Sequence, residues 1–230
     1  MARHPADASS PTRSRGILTM RWHELGVRGA YAFTPDVYPD QRGLFVSPFQ
    51  ADGFAQATGR RMFRPTLTGH SRNRRGVIRG VHFTTTPPGM ATYVSCARGS
   101  AVDFVVDLRL GSPTFGRWDS VVLDAEKFHS VYLPVGMGHA FQALEDDTVV
   151  SYLLSGGYVP EHERAISVFD PELGLPLRED IPPVLSSRDS SALSLAETRE
   201  RGLLPDYATC LRLDAELGGG PGGGSGDRLD

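Results

Sequence analysis

The sequence predicts an all-β domain, a sandwich or barrel with short helices at its periphery, and its patterning and composition carry the prediction. Short runs rich in Val, Ile, Tyr, Phe and Thr recur with turn residues between them at hairpin-like spacing. The run "AVDFVVDLRL" at 101–110 alternates apolar with polar side chains, the period of a strand. Helical signal is confined to two stretches. Many short strands with few helices must stack two sheets or close one on itself to bury a common core.

Taken in order, residues 1–20 are polar and read as a disordered extension, with Met20 an alternative start of translation. They lack the apolar centre of a secretory signal. Residues 21–215 read as the folded domain, with a short helix in "SPFQADGFAQATG". "VIRGVHF" at 77–83 reads as a strand, and "TYVSCA" is expected to pair with "AVDFVVDLRL" through the turn "RGS" as a hairpin. In the latter, Val102, Phe104, Val106, Leu108 and Leu110 oppose Asp103, Asp107 and Arg109, with Val105 the one break. "SVVLD", "SVYLP", "AFQAL" and "TVVSYLL" add strands, and "SLAETRERGLLPDYATCLRLDAEL" is helical. Residues 216–230 read as a flexible Gly-rich tail. No internal repeat is present.

Composition narrows the function classes. A chain of 230 residues, 40% hydrophobic, can bury one full core. A net charge of −3 gives no reason to expect nucleic acid or an anionic membrane surface. No apolar run approaches the ~20 residues that span a bilayer. Cys96 and Cys210 lie far apart and suggest no disulfide framework, so a reducing, cytoplasmic setting is expected. Lys127, the only lysine, sits in the polar turn "LDAEKFHS", which reads as solvated surface rather than a Schiff-base site. The cluster Arg72, Arg74 and Arg75 lacks interleaved aromatics and reads as a solvated turn.

Two segments carry chemistry. In "RGVIRGVHF", Arg79 and His82 are three residues apart, so a regular strand would point them to opposite faces. Gly80 permits a bulge that turns both toward one cavity; the alternative is a surface arginine beside a core histidine. "LPVGMGHAF" carries Pro134, Gly136 and His139 in the P-x-G-x-x-H pattern of the second cupin motif. The H-x-H of the first cupin motif occurs nowhere, so the ligand set for a transition metal is missing and no cofactor is expected. A cupin-like jelly-roll β-barrel without metal must work through acid–base side chains.

From about Trp22 to Tyr207 the chain resembles the dTDP-4-dehydrorhamnose 3,5-epimerase family and its 3-epimerase relatives. The resemblance rests on "YPDQRGLF", "HSRNRRGVIRGVHF", "DFVVDLRLGSPTFGRW", "LPVGMGHAF", "SYLLSGGYVPEHE", "DPELGL" and "LSSRD", in that order. It implies a metal-independent jelly-roll homodimer that inverts C3, C5 or both beside the 4-ketone of a dTDP-4-keto-6-deoxyhexose, in rhamnose or antibiotic-sugar biosynthesis. The ketone acidifies the neighbouring C–H bonds, because the carbanion is an enolate. Inversion then needs a base on one face and a proton donor on the other. By resemblance His82 is the base, Asp189 its partner and Tyr152 the donor. Arg79 and Arg188 match positions that bind the diphosphate, and Arg42 one that reaches the nucleotide. Phe45 and Tyr158 match residues near thymine, where stacking is expected. His139 and Glu163 match further ligand contacts.

The chain also departs from the family. Leu67 and Gly69 stand where it has glutamine and asparagine, Ser47 where it has glutamate, and Leu177 near its tryptophan. In "GMATYVS", Thr92 replaces the lysine that holds the enolate charge, leaving one neutral donor at that substrate-binding position. The alternatives are a cupin redirected to another reaction on a related keto sugar, or a non-catalytic sugar-nucleotide binder. Retention of His82, Asp189 and Tyr152 together speaks against the binder, which needs no base opposite an acid.

Overall fold

The computed structural model describes residues 19–219. Most of the expected N-terminal extension and of the Gly-rich tail lies outside these residues. The elements are β1 (Met20–Glu24), β2 (Tyr31–Pro35), β3 (Val37–Asp40), β4 (Gly43–Val46), α1 (Ala51–Thr58), β5 (Leu67–Asn73), β6 (Ile78–Thr84) and β7 (Thr92–Arg98). They continue with β8 (Ser100–Asp107), β9 (Trp118–Asp124), β10 (Ser130–Leu133), β11 (Met137–Ala143), β12 (Thr148–Leu154), β13 (Glu163–Ala165), α2 (Ser187–Ser190), α3 (Leu195–Glu200) and α4 (Tyr207–Leu217). Two sheets form, ordered β1-β2-β10-β7-β12-β5 and β13-β6-β11-β8-β9, with β3-β4 a separate hairpin. The sheets face one another without closing into a continuous ring. From β5 onward the chain changes sheet at nearly every step, the habit of a jelly roll. The all-β reading with short peripheral helices holds.

One pairing expectation fails. β7 pairs with β10 and β12, whereas β8 pairs with β9 and β11, so "RGS" carries the chain between sheets and makes no hairpin. A turn signal marks where a chain reverses; it does not say which sheet the chain re-enters.

The core explains the polar half of the β8 pattern. Between the sheets lie Val94, Cys96, Val105, Val131, Phe141 and Val150. On the outer face of the second sheet, Phe104, Val106 and Leu108 pack under Ile166, Val168, Leu173 and Leu195. β8 is therefore covered on both faces, and Asp103 and Asp107 are fully buried. Asp107 is satisfied by Arg109, Ser112 and Thr114, which all donate to its carboxylate. Asp103 has a different partner, described below.

A third cluster joins the helices to the first sheet through Phe54, Phe63, Tyr132 and Cys210. Asp206 caps α4 by accepting from the Thr209 amide at 2.8 Å. Farther along α4, Asp214 accepts from Tyr132 Oη at 3.0 Å and pairs with Arg60. The turn before β11 packs against this helix. Gly136 has φ +86°, and a Cβ there would stand 2.4 Å from Cys210 Sγ and 2.7 Å from Arg109 Cγ. The glycine of the P-x-G-x-x-H pattern is thus required by conformation and by space. Among the described residues no helix is long and apolar enough to cross a membrane.

Candidate active site

Strand β6 is irregular where its chemistry lies. His139 of β11 opposes His82, and Phe141 opposes Arg79, so two steps on β11 match three on β6. His139 and Phe141 point to one face of their strand; the extra β6 residue therefore places Arg79 and His82 on that same face. Gly80 makes this possible. It has φ +119°, and a Cβ would stand 2.3 Å from the His139 carbonyl oxygen. The bulge that Gly80 permits is present, but Arg79 is exposed and outside the cavity wall, so the two side chains do not line one cavity.

His82 is half-buried, and its Nε2–H donates to Asp189 Oδ1 at 2.6 Å. Asp189 is held by the short helix α2, where its amide donates to the Ser186 hydroxyl that caps the helix. Burial pushes the Asp189 carboxyl up. The hydrogen bond and charge of His82, with Ser186 and Arg188, outweigh it, and the net shift is below the usual carboxylate value. Asp189 thus stays ionised and orients the imidazole, whose Nδ1 has no protein hydrogen-bond partner among the described residues.

Tyr152 comes from the facing sheet. Register sets Gly69, Tyr152 and Val94 side by side on β5, β12 and β7, with Leu67, Leu154 and Thr92 in the parallel row two residues away. The Tyr152 hydroxyl lies 3.2 Å from Ser71 Oγ. Burial, with a smaller contribution from the Asp103 charge, pushes the phenol up to about 12, so it is held protonated. Its ring meets His139 edge-on, centroids 6.2 Å apart. His139 Nε2–H in turn donates to Asp103 Oδ2 at 2.6 Å.

These side chains share one cavity of about 180 Å³, lined among others by His82, His139, Tyr152, Thr92, Tyr158 and Glu163. Glu163 accepts from Thr84 Oγ1 at 3.1 Å. Tyr158 stands at the rim, exposed. Leu67, Met90, Leu133, Met137 and Leu154 make the rest of the wall largely apolar. Gly69 adds empty space beside Tyr152, since a Cβ there would meet only that ring, at 3.9 Å.

Other expected residues are not in this wall. Arg79 is exposed, its Nε donating to Asn73 Oδ1 at 2.9 Å. Arg188 is exposed on α2 and donates to the Arg164 carbonyl at 3.2 Å. Arg42 and Phe45 lie on the β3-β4 hairpin, where Arg42 pairs with Asp40 and Phe45 is 58% exposed. Within one chain the structure does not bring these four to the cavity wall.

Sequence reasoning missed Asp103, which the alternation of β8 assigned to a polar face. It also missed Ser71 and Asn73, which hold Tyr152 and Arg79. The one signal for Asp103 was an acid inside an otherwise apolar strand. Among the described residues no set of three His, Cys, Asp and Glu side chains converges to hold a metal ion. The cavity brings together a base with an ionised partner and a phenol kept protonated. It is equipped to move a proton off carbon and to return one.

The family model for dTDP-4-dehydrorhamnose 3,5-epimerase matches residues 24–197. A Streptomyces niveus protein named dTDP-4-dehydrorhamnose 3-epimerase is 46% identical over 194 residues, 83% of this chain and 91% of its own length. The chain is also similar to NovW, a 4-keto-6-deoxy sugar epimerase from the novobiocin biosynthetic gene cluster of Streptomyces spheroides. That structure matches with TM-score 0.80 and 45% identity, covering 87% of this chain and 100% of NovW. ChmJ, a 3′-monoepimerase from Streptomyces bikiniensis solved in complex with dTDP-quinovose, matches with TM-score 0.80 and 42% identity over 85% of this chain and 98% of its own.

Proposed function

The chain belongs to the dTDP-4-dehydrorhamnose 3,5-epimerase family, and from that premise we propose a division of labour among the residues of its cavity. The protein is an isomerase that epimerises a dTDP-4-keto-6-deoxyhexose at C3, C5 or both. His82 removes the proton beside the ketone, Asp189 stabilises the imidazolium that results, and Tyr152 returns a proton from the opposite face. The observation that carries this is the contrast in protonation across one cavity: an ionised aspartate behind the imidazole and a phenol pushed up to about 12 facing it. Positioned acid–base groups of this kind contribute roughly 10²–10⁴-fold each.

The cavity has room for the sugar alone. At about 180 Å³ it falls below the roughly 300–1,000 Å³ that encloses a whole drug-sized ligand. The nucleoside diphosphate therefore lies across the rim, where Tyr158 offers a face for thymine and Arg79 and Arg188 offer guanidinium groups to the phosphates. Arg42 and Phe45 reach the nucleotide from a second copy of the chain. Support comes from the β3-β4 hairpin, which presents Leu44 and Phe45 at 52% and 58% exposure, more apolar surface than a free hairpin tip needs. The working unit is then a homodimer. Cys96 and Cys210 are buried free thiols, in keeping with a cytoplasmic protein.

Incubating the protein with dTDP-4-keto-6-deoxyglucose in deuterium oxide tests the reading. Deuterium at C3, C5 or both, seen by proton NMR, is the expected result; absence of exchange at both carbons would refute it.

A further inference from the structure

A proton donor that has given up its proton is an anion, and Tyr152 becomes one in a buried place. Burial already pushes its phenol up to about 12, and no lysine or arginine lines the cavity. The compensating groups lie outside the wall, along β5. Tyr152 pairs with Gly69, which puts no side chain beside the ring, and its hydroxyl reaches diagonally to Ser71, Oη to Oγ 3.2 Å. Ser71 Oγ accepts from Asn73 Nδ2 at 3.1 Å, and Asn73 Oδ1 accepts from Arg79 Nε at 2.9 Å. The guanidinium can only donate, so it fixes which end of the Asn73 amide faces it. The other end is fixed as well, because the carbonyl oxygens of Ser71 and Thr148 each lie 3.1 Å from Nδ2. Asn73 is 3% exposed, so this orientation is held in the core.

We propose that Arg79, Asn73 and Ser71 form one hydrogen-bonded line that stabilises the Tyr152 phenolate, so that an exposed guanidinium governs a buried proton donor. The inference rests on the epimerase reading above. In the step concerned the Tyr152 O–H bond breaks and its proton joins the carbon beside C4. The double-bond pair of the enolate forms the new C–H bond, and the O–H pair stays on the phenolate oxygen. A phenolate only accepts, so Ser71 then turns its one hydrogen to Oη while its lone pairs remain with Asn73. Every bond of the line then has its donor on the Arg79 side. Hydrogen bonds aligned in this way polarise one another, and the effect grows where the dielectric is low. The two ends of the line act on the phenol in one sense: the Ser71 hydrogen bond and the Arg79 charge both oppose the rise that burial imposes. In this role the three are positioning residues, acting on the reaction through Tyr152.

The charged and titratable groups around Tyr152 are His139 on β11, Asp103 on β8, Cys96 on β7 and Arg79 on β6, with His82 and Glu163 in the same cavity. The first measurement needs no substrate. A ring-fluorinated tyrosine replaces Tyr152, and its fluorine NMR shift is followed across pH. Ser71→Ala should raise the titration midpoint by about 1–2 pH units, the worth of one hydrogen bond to a charged group. Ser71→Thr, which keeps the hydroxyl, should leave it near native. Arg79→Gln should raise it too, and by less when residue 71 is already alanine, because the line is then cut. An unmoved midpoint in Ser71→Ala, or shifts of the two variants that simply add, would overturn the line whatever the protein catalyses. The second measurement follows dTDP-4-keto-6-deoxyglucose in deuterium oxide, with dTDP affinity as the measure of a folded site. Ser71→Ala should slow inversion about 10–10²-fold while wash-in from the His82 face keeps its rate, and Ser71→Thr should invert as the native protein does. Inversion at the native rate in Ser71→Ala, or equal losses of inversion and wash-in with dTDP still bound, would overturn the role in catalysis. Absence of any exchange in the native protein would overturn the epimerase reading and that role with it, while the fluorine titration still decides the line itself.

Discussion

His82 and His139 oppose one another on β6 and β11, and each gives Nε2–H to an aspartate at 2.6 Å. The two aspartates differ in everything else. Asp189 sits in the first turn of α2, supported by the Ser186 cap and by Arg188, and its carboxyl is pushed down. Asp103 sits in the middle of β8, covered on both faces, with one oxygen unpaired, and its carboxyl is pushed up. One geometry therefore yields two proton inventories. Asp189 is held toward its ionised form behind the His82 imidazole, and Asp103 is pushed toward its protonated form behind His139. Opposed environments sort chemically identical groups into opposed roles.

The comparison breaks most visibly at the base. His82→Ala should reduce solvent exchange at both carbons by about 10⁴-fold, the upper end for a positioned base, while dTDP affinity stays near native. If His139 can serve in its place, exchange will persist near the native rate. Tyr152→Phe comes next. Inversion should fall about 10²–10³-fold by product analysis, within the range for one proton donor, whereas wash-in from the His82 face continues. Equal losses in both measurements would show that the phenol does more than donate a proton.

A smaller effect sharpens the contrast through stability. The Asp189 carboxyl is depressed in the fold, so its stabilisation is present above the unfolded value of about 3.9 and is lost as pH falls through the folded value. The Asp103 carboxyl is raised, so the sign reverses: its contribution is full below about pH 3.9 and declines as pH rises toward the folded value. Thermal midpoints of Asp189→Asn and Asp103→Asn against the native protein, between about pH 3 and 7, should therefore diverge with opposite slopes. Parallel slopes would show that the two carboxylates share one environment. The smallest expected effect is none at all. Among the described residues no three His, Cys, Asp or Glu side chains converge to hold a metal ion, so prolonged chelation should leave exchange unchanged. Loss restored by one divalent ion would bring back a metal-dependent reading.

Much of this was legible in the chain. The strands and the bulge at Gly80 follow from period and glycine placement. His139 sits in the P-x-G-x-x-H segment and His82 in the strand marked by Gly80, whereas the roles expected of His82 and Tyr152 came from the resemblance to the family, because a tyrosine in a strand looks by itself like any other strand aromatic. Asp103 was hidden because alternation reports one covered face, and β8 has two; the second cover comes from residues 166–204, far along the sequence. The false hairpin at "RGS" fails for the same reason, since sheet membership is set by distant partners. Arg42 and Phe45 match the family in "QRGLF", yet the hairpin that carries them stands apart from the cavity of its own chain. Local sequence says what a residue is suited to, and long-range packing decides where it goes.

The turn at Gly136 rests on Cys210 of α4, and α4 is itself tied back through Asp214 to Arg60 and Tyr132. Every residue of the cavity wall is synthesised before that helix exists. During translation the segment that carries His139 must wait, unsupported, for the last helix among the described residues to arrive. A tag, fusion or proteolytic nick near the C-terminus is then a change to the His139 end of the cavity, although it falls far from that end along the chain. Expression with an N-terminal tag is the safer choice for assay, and catalytic competence after C-terminal trimming reports how firmly α4 is docked.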